Sequence, residues 1–345
     1  MIDLRSDTVT RPTDAMKQAM LAAEVGDDMM GEDPTINQLE AMVASRLGKE
    51  AAVFACSGTQ SNQMAVKTHC VPGDELLINS QGHIGIYEAG APAALSGVSV
   101  RQIEGEKGFL TVDKLEGTVR PDDQHYCRTR LLCLENTTNL GGGYVYNLAE
   151  LQNLSEWALE NGLKRHLDGA RFFNATVAAG YSATEVSDCF DTVSICFSKG
   201  LGCPVGSILV GSAEDMRKAR RARKMLGGAL RQAGFLAAAA IYALENHVDR
   251  LQQDHDNAKE LALGLQNISG ITADVDETET NLVYFEVDPE IATGKQLAAE
   301  LSQRCVQLFD LGPQRLRAVT HLDIQTTDIP NAIDAVEACV DTFTR

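Results

Sequence analysis

Between residues 35 and 211 the chain alternates short apolar runs with stretches of helical spacing, and this limits the fold more than any other feature. The runs are Ala51–Ala55, Glu75–Ile78, Val98–Ile103, Arg130–Leu134, Leu163–Leu167, Thr192–Phe197 and Val205–Val210. Several are apolar at consecutive positions, as strands covered on both faces must be. Between them, Ile36, Leu39, Val43 and Leu47 share one helical face, and Leu148–Leu159 repeats the spacing. Thr35 and Gln38 fit a capping box at the start of the first helix. Such alternation gives an α/β domain around a mostly parallel sheet.

From about Leu230 to Leu265 a long helical region leads out of this domain. Beyond it, Asn281–Val287 and Arg315–Thr320 read as strands, and Gly294–Arg304 and Ile329–Phe343 as helices. The expected division is residues 1–250, an N-terminal arm with the large α/β domain, and 251–345, a small C-terminal α+β domain.

The 345 residues carry a formal net charge of −18, which repels polyphosphate, so no nucleic-acid partner is expected. Met216–Lys224 runs the other way, with six cations, and reads as a helix facing solvent or a neighbouring subunit. Nine cysteines without a CxxC pair read as reduced thiols, with neither a disulfide framework nor a metal site. The first ten residues hold charges at Asp3, Arg5 and Asp7 and do not read as a signal peptide. The longest apolar run, Ala233–Leu244, has 12 residues, too few to span a bilayer. A cytoplasmic protein without a membrane partner is expected.

In an open α/β sheet, ligands bind beyond the carboxyl ends of the strands. Three chemically distinct groups fall there. Ser57, Gly58 and Thr59 follow the run Ala51–Ala55 and open a helix, an arrangement that cradles phosphate or serves as an ordinary cap. Asp168 ends the run Leu163–Leu167, where a carboxylate can meet a sugar hydroxyl, a metal or a protonated ring nitrogen. Lys199 follows a buried strand among small residues, where desolvation favours an imine-forming amine. A phosphate cradle, a carboxylate and an amine together match the three handles of pyridoxal phosphate. A dinucleotide fold would place GxGxxG after its first strand, and none is present there.

Nearly end to end, the sequence resembles the low-specificity threonine aldolases of the aspartate-aminotransferase fold type (PLP fold type I). The resemblance is carried by Ile2–Thr10 (IDLRSDTVT), Val25–Asp28, Gly31–Thr35, Gly48–Ala52, Leu167–Arg171 (LDGAR), Ile195–Gly202 (ICFSKGLG), Gly227–Gln232 and Val319–Asp323. It implies that Lys199 carries the cofactor as a Schiff base, Asp168 keeps the ring nitrogen protonated and His83 stacks on the ring. Ser57, Gly58 and Thr59 would hold the phosphate, helped by Arg231 from a neighbouring subunit. Ser6, Arg171 and Arg317 would grip the substrate carboxylate, with Arg171 beside the cofactor as well. The reaction implied is retro-aldol cleavage of a β-hydroxy-α-amino acid to glycine and an aldehyde. The base would be His83, His125 or a water between them, and the assembly a homotetramer.

Two positions depart from the family pattern. Met30 stands where a tyrosine is usual, and Thr138 where a histidine is common, followed by Gly141–Gly143. Both bear on the substrate side chain, and Tyr87 is a candidate replacement polar group beside it. Alternatives with the same cofactor are β-elimination, another β-hydroxy amino acid, or a relative that binds cofactor without turning over.

Overall fold

Strands apolar on both faces need cover on both faces, and the computed structural model, which describes residues 1–344, meets that need with helices on either side of one large sheet. A two-residue strand, β1 (Ile2–Asp3), opens the chain. The large sheet takes the next seven: β2 (Ala51–Ala55), β3 (Asp74–Asn79), β4 (Ser99–Ile103), β5 (Arg128–Glu135), β6 (Lys164–Gly169), β7 (Thr192–Cys196) and β8 (Ser207–Gly211). They lie in the order β2-β8-β7-β6-β5-β3-β4. Only β8 runs against its neighbours; the other pairings are parallel. Every position of β3, β7 and β8 is buried, which is why their apolar runs are continuous.

The first long helix is Pro34–Arg46, and Asp33 caps it rather than the expected Thr35. Asp33 Oδ1 accepts from the Thr35 and Ile36 amides, and Pro34 sits at the first helical position, where a missing N–H costs nothing. The Thr35 hydroxyl donates instead to the Glu24 carbonyl. The region expected as one helix from Leu230 to Leu265 is two, Gly234–Asn246 and Leu251–Gln266, separated where the His247 ring meets the Leu201 carbonyl.

The basic segment lies on the helix Ala213–Met225, and one of its cations, Arg223, turns inward instead of facing solvent, while Arg220 stays exposed and still reaches a buried carboxylate. Arg223 pairs with Asp28 at 2.9 Å with both side chains buried, and Arg220 pairs with Glu40. Arg217, Arg221 and Lys224 are exposed.

The remaining strands are β9 (Ile271–Ala273), β10 (Leu282–Val287), β11 (Val306–Gln307), β12 (Phe309–Asp310) and β13 (Arg315–Val319). An antiparallel sheet, β12-β13-β10-β9, packs with the helices Leu251–Gln266, Gly294–Gln303 and Asp328–Thr344 around a second core. Leu4 belongs to that core and β1 pairs with β11, so the chain's first residues fold with its last hundred. Among the described residues no helix is long and apolar enough to cross a membrane.

Candidate active site

From β3 the chain winds outward to β4, then returns past β3 to lay down β5, β6 and β7 on the other side. Such a reversal opens a crevice at the carboxyl ends of β3 and β5. Two chain segments meet there: the backbone N–H of His83, beyond β3, donates to Glu135 Oε2 at the end of β5 (2.7 Å). Glu135 is in register with Asp168 on β6, and Asp168 with Ser194 on β7.

Asp168 is 3% exposed, and both its oxygens accept from N–H groups: Oδ2 from Asn62 at 2.7 Å and Oδ1 from the Ala170 amide at 3.0 Å. Asn62 Nδ2 also donates to Glu88 Oε1 (2.8 Å), whose other oxygen accepts from Gln63 (2.5 Å). Glu88 Oε1 receives the His83 Nδ1–H as well, at 3.0 Å. His83, Glu88 and Asp168 thus each bring a polar atom within 4.8 Å of the others. Burial works against a charged His83, but the Glu88 hydrogen bond and the charges of Asp168 and Glu88 outweigh it and raise its pKa above the ordinary histidine range. Glu135 is pushed up to about 7, by burial first and then by the charge of Asp168.

Lys199 lies on the β7–β8 connection and is half-buried. Its carbonyl accepts from the Gly202 amide at 2.8 Å and the Thr10 hydroxyl at 3.1 Å, so its backbone is tied down. Gly202 makes that turn at a φ of +77°, a conformation glycine adopts without strain. Among the described residues no acceptor holds the Lys199 amine. Its charge reaches Asp7 and His83 and lowers the pKa of each.

The carboxylate-binding residues are arranged differently from expectation. Arg171 gives Nε and Nη2 to Asp7 at 2.7 and 2.8 Å, so its two-pronged face is taken up within the chain. Burial alone would raise the Asp7 pKa, but Arg171 and Lys199 overcome it and hold the pKa near 2. Only Arg171 Nη1 is turned elsewhere, 3.5 Å from Asn139 Oδ1. Arg317 Nη1 meets the same oxygen at 3.1 Å, and its buried Nε has no partner. Two guanidiniums therefore converge on one amide oxygen, in a place suited to a carboxylate. Ser6 is buried, its hydroxyl accepting from the Thr8 amide and hydroxyl.

Ser57 caps the helix Gly58–His69 by accepting from the Gln60 amide at 3.1 Å, while Thr59 is exposed. Arg231 pairs with Asp27 of its own chain at 2.8 Å and is 58% exposed. Tyr87 is exposed, with its ring centroid 5.7 Å from that of His83, and Met30 is exposed too. His125 is not brought to the cluster within one chain. It lies exposed before the start of β5, at the amino end of that strand, bonded to Asp123. Thr138 does not line the site; it is buried, and its hydroxyl accepts from the Tyr144 amide to hold the turn that follows. That turn needs its glycines, since a Cβ at Gly141 would sit 2.1 Å from the Lys107 carbonyl oxygen.

Asn62, Glu88, Glu135, Asn139 and His166 were not singled out from the sequence. Some signal existed for one of them: Glu135 follows directly on the apolar run Leu131–Leu134 and so ends a buried strand on a carboxylate.

Pyridoxal phosphate presents an aldehyde, a ring nitrogen and a phosphate, and the residues here fit all three. Lys199 offers an amine with no acceptor engaged. Asp168 is a carboxylate whose held oxygens both accept. A methyl built at Gly58 would meet no atom within 4 Å, so open space lies at the positive, N-terminal end of the Gly58–His69 helix.

Comparison with known proteins bears on the same residues. A family model described as beta-eliminating lyase matches residues 3–288. The low-specificity L-threonine aldolase of Escherichia coli K12 is 46% identical over 325 residues, covering 94% of this chain and 95% of that protein. Low-specificity L-threonine aldolase 1 of Arabidopsis thaliana is 42% identical, covering 95% and 93%. Among solved structures, a threonine aldolase from Leishmania major superposes with a TM-score of 0.84 at 20% identity, covering 99% and 100%. A putative L-allo-threonine aldolase from Listeria monocytogenes gives 0.82 at 21%, covering 99% and 96%; these two show the shared fold. By sequence, the chain belongs to the beta-eliminating lyase family, among its low-specificity L-threonine aldolases.

Proposed function

We propose that this protein is a pyridoxal-phosphate lyase that cleaves L-threonine and L-allo-threonine, and β-hydroxy-α-amino acids like them, to glycine and an aldehyde. The observation that carries it is the meeting of an unengaged lysine amine, an N–H-bonded aspartate and an imidazole at the carboxyl ends of β3, β6 and β7. Pyridoxal phosphate, when bound, supplies an electron sink for the pair released as the Cα–Cβ bond breaks.

The chain's own residues supply the rest. Lys199 would hold the cofactor through its amine and be released as a free amine when the substrate's amine takes its place. Asp168 would keep the ring nitrogen protonated, and Ser57, Gly58 and Thr59 would hold the phosphate. Arg317 and Arg171 take the substrate carboxylate where both now face Asn139, with Ser6 beside them. His83 keeps Nδ1–H on Glu88, which leaves Nε2 to receive the β-hydroxyl proton. Tyr87, whose ring lies 5.7 Å from that of His83, and Met30 bear on side-chain preference in this reading.

The same reading assigns residues 1–250 to the cofactor and 251–345 to a smaller unit, supported by two separate cores. It also places the protein in the cytosol as a homotetramer, with Arg231 exchanging Asp27 for a neighbouring subunit's cofactor phosphate. Exposed Met29, Met30 and Phe235, close to that ion pair in sequence, support the contact. The test is to incubate holoenzyme with L-threonine, L-allo-threonine and L-serine and follow glycine and aldehyde. Glycine with acetaldehyde from the first two is expected; no glycine from any of the three would overturn the assignment.

A further inference from the structure

Behind Asp168 lies a buried chain of polar groups that the proposed chemistry does not use. Asn62 Nδ2 faces two carboxylates, Asp168 and Glu88, so the amide can be oriented only one way. Its Oδ1 must then accept, and it does so from Ser194 Oγ at 2.8 Å and from His166 Nε2 at 3.1 Å. The His166 proton is therefore on Nε2, and Nδ1 is the acceptor. Nδ1 lies 3.0 Å from Thr192 Oγ1 and 3.2 Å from the Thr192 carbonyl, and only the hydroxyl can donate. With its proton committed to His166, Thr192 Oγ1 accepts from His69 Nε2 at 3.0 Å. The run Asp168–Asn62–His166–Thr192–His69 thus has a single set of proton positions. All five residues are buried, Thr192 and His166 completely. Burial lowers the pKa of both histidines to about 4, so each holds the neutral form that this arrangement requires.

We propose that Asn62 is a positioning residue for the cofactor: held in one orientation by His166 and Ser194, it donates to Asp168 and Glu88 at once and fixes the carboxylate that meets the ring nitrogen. This rests on the reading of Asp168 given above and adds to it the group that aims the carboxylate. The same amide holds Glu88, the partner of His83, so one side chain orients both the Asp168 carboxylate and the histidine's partner.

The test uses holoenzyme and two readouts besides turnover: the dissociation constant for pyridoxal phosphate and the visible absorption band of the lysine-bound cofactor across pH. Asn62→Asp puts an acceptor oxygen against two carboxylates. It is expected to weaken cofactor binding roughly 10- to 100-fold, the range for losing hydrogen bonds to charged groups. It should also move the band's titration midpoint, which a merely structural role would leave in place. His166→Gln offers an amide N–H to Asn62 and an oxygen to Thr192, and should keep the parent's affinity and band; His166→Leu, with no donor, should lose both. If Asn62→Asp does not accumulate folded, Asn62→Ala takes its place in the comparison. Parent-like affinity and titration in Asn62→Asp, or in Asn62→Ala as its substitute, would overturn the proposal. So would equal damage from His166→Gln and His166→Leu. A parent that fails to bind the cofactor through Lys199 would instead overturn the underlying reading.

Discussion

At the residue scale, His83 draws its character from neighbours distant in sequence. Glu88 accepts its Nδ1–H, and Glu88 is itself held by two amides from the Gly58–His69 helix. Glu88 and Asp168 raise the histidine's pKa against the effect of burial, so catalysis by its free Nε2 should rise with pH as the ring loses its proton. Glu88→Gln removes one of those charges, and the rising limb of the kcat/KM profile should move to lower pH. A limb that stays in place would show that His83 is not the titrating base. Lys199 and Asp168 were legible in the sequence because each ends or follows an apolar strand, where such groups are conspicuous. Glu88 was not, since a lone glutamate in a glycine-bearing connection after a helical turn looks solvated until the fold buries it. Asp7 was visible as a charge, but its pairing with Arg171, 164 positions away, depends on how the N-terminal arm is laid across the sheet.

At the element scale, the strands were the most legible part of the chain, because continuous apolar runs have few uses outside a doubly covered sheet. The antiparallel turn of β8 was not legible, since burial on both faces gives the same run in either direction. Helix starts were less legible still. Thr35 and Gln38 satisfy the local capping pattern, yet Asp33 takes the role because its second oxygen also accepts from the Gly234 amide at 2.9 Å, a tertiary contact with no local signature. Asp33→Ala should therefore cost more than an ordinary cap of about 1 kcal/mol. With a buried backbone donor also left unpaired, roughly 2–4 kcal/mol is expected in chemical denaturation. A loss below about 0.5 kcal/mol would mean that the cap and the tie to Gly234 do not stabilise the fold.

At the scale of the whole molecule, the N-terminal arm joins the two cores. β1 pairs with β11 of the second, and four residues later Asp7 meets Arg171 of the first and Asn281 beside β10. The Asp7 pKa is held near 2, below its unfolded value, so the ion pair stabilises fully above pH 4 and is lost as pH falls toward 2. Asp7→Asn should destabilise the protein by roughly 3–5 kcal/mol at neutral pH, because it strands a buried guanidinium, and should flatten the acid limb of the stability curve. Unchanged stability would separate the arm from the core. Asp7 also feels the charge of Lys199, the residue on which the account turns, and reduction of the yellow holoenzyme with borohydride followed by peptide mapping examines that lysine directly. The predicted result is a bleached protein with the pyridoxyl mass on Lys199. The mass on another lysine, or no incorporation in a protein with Lys199 intact, would contradict the account.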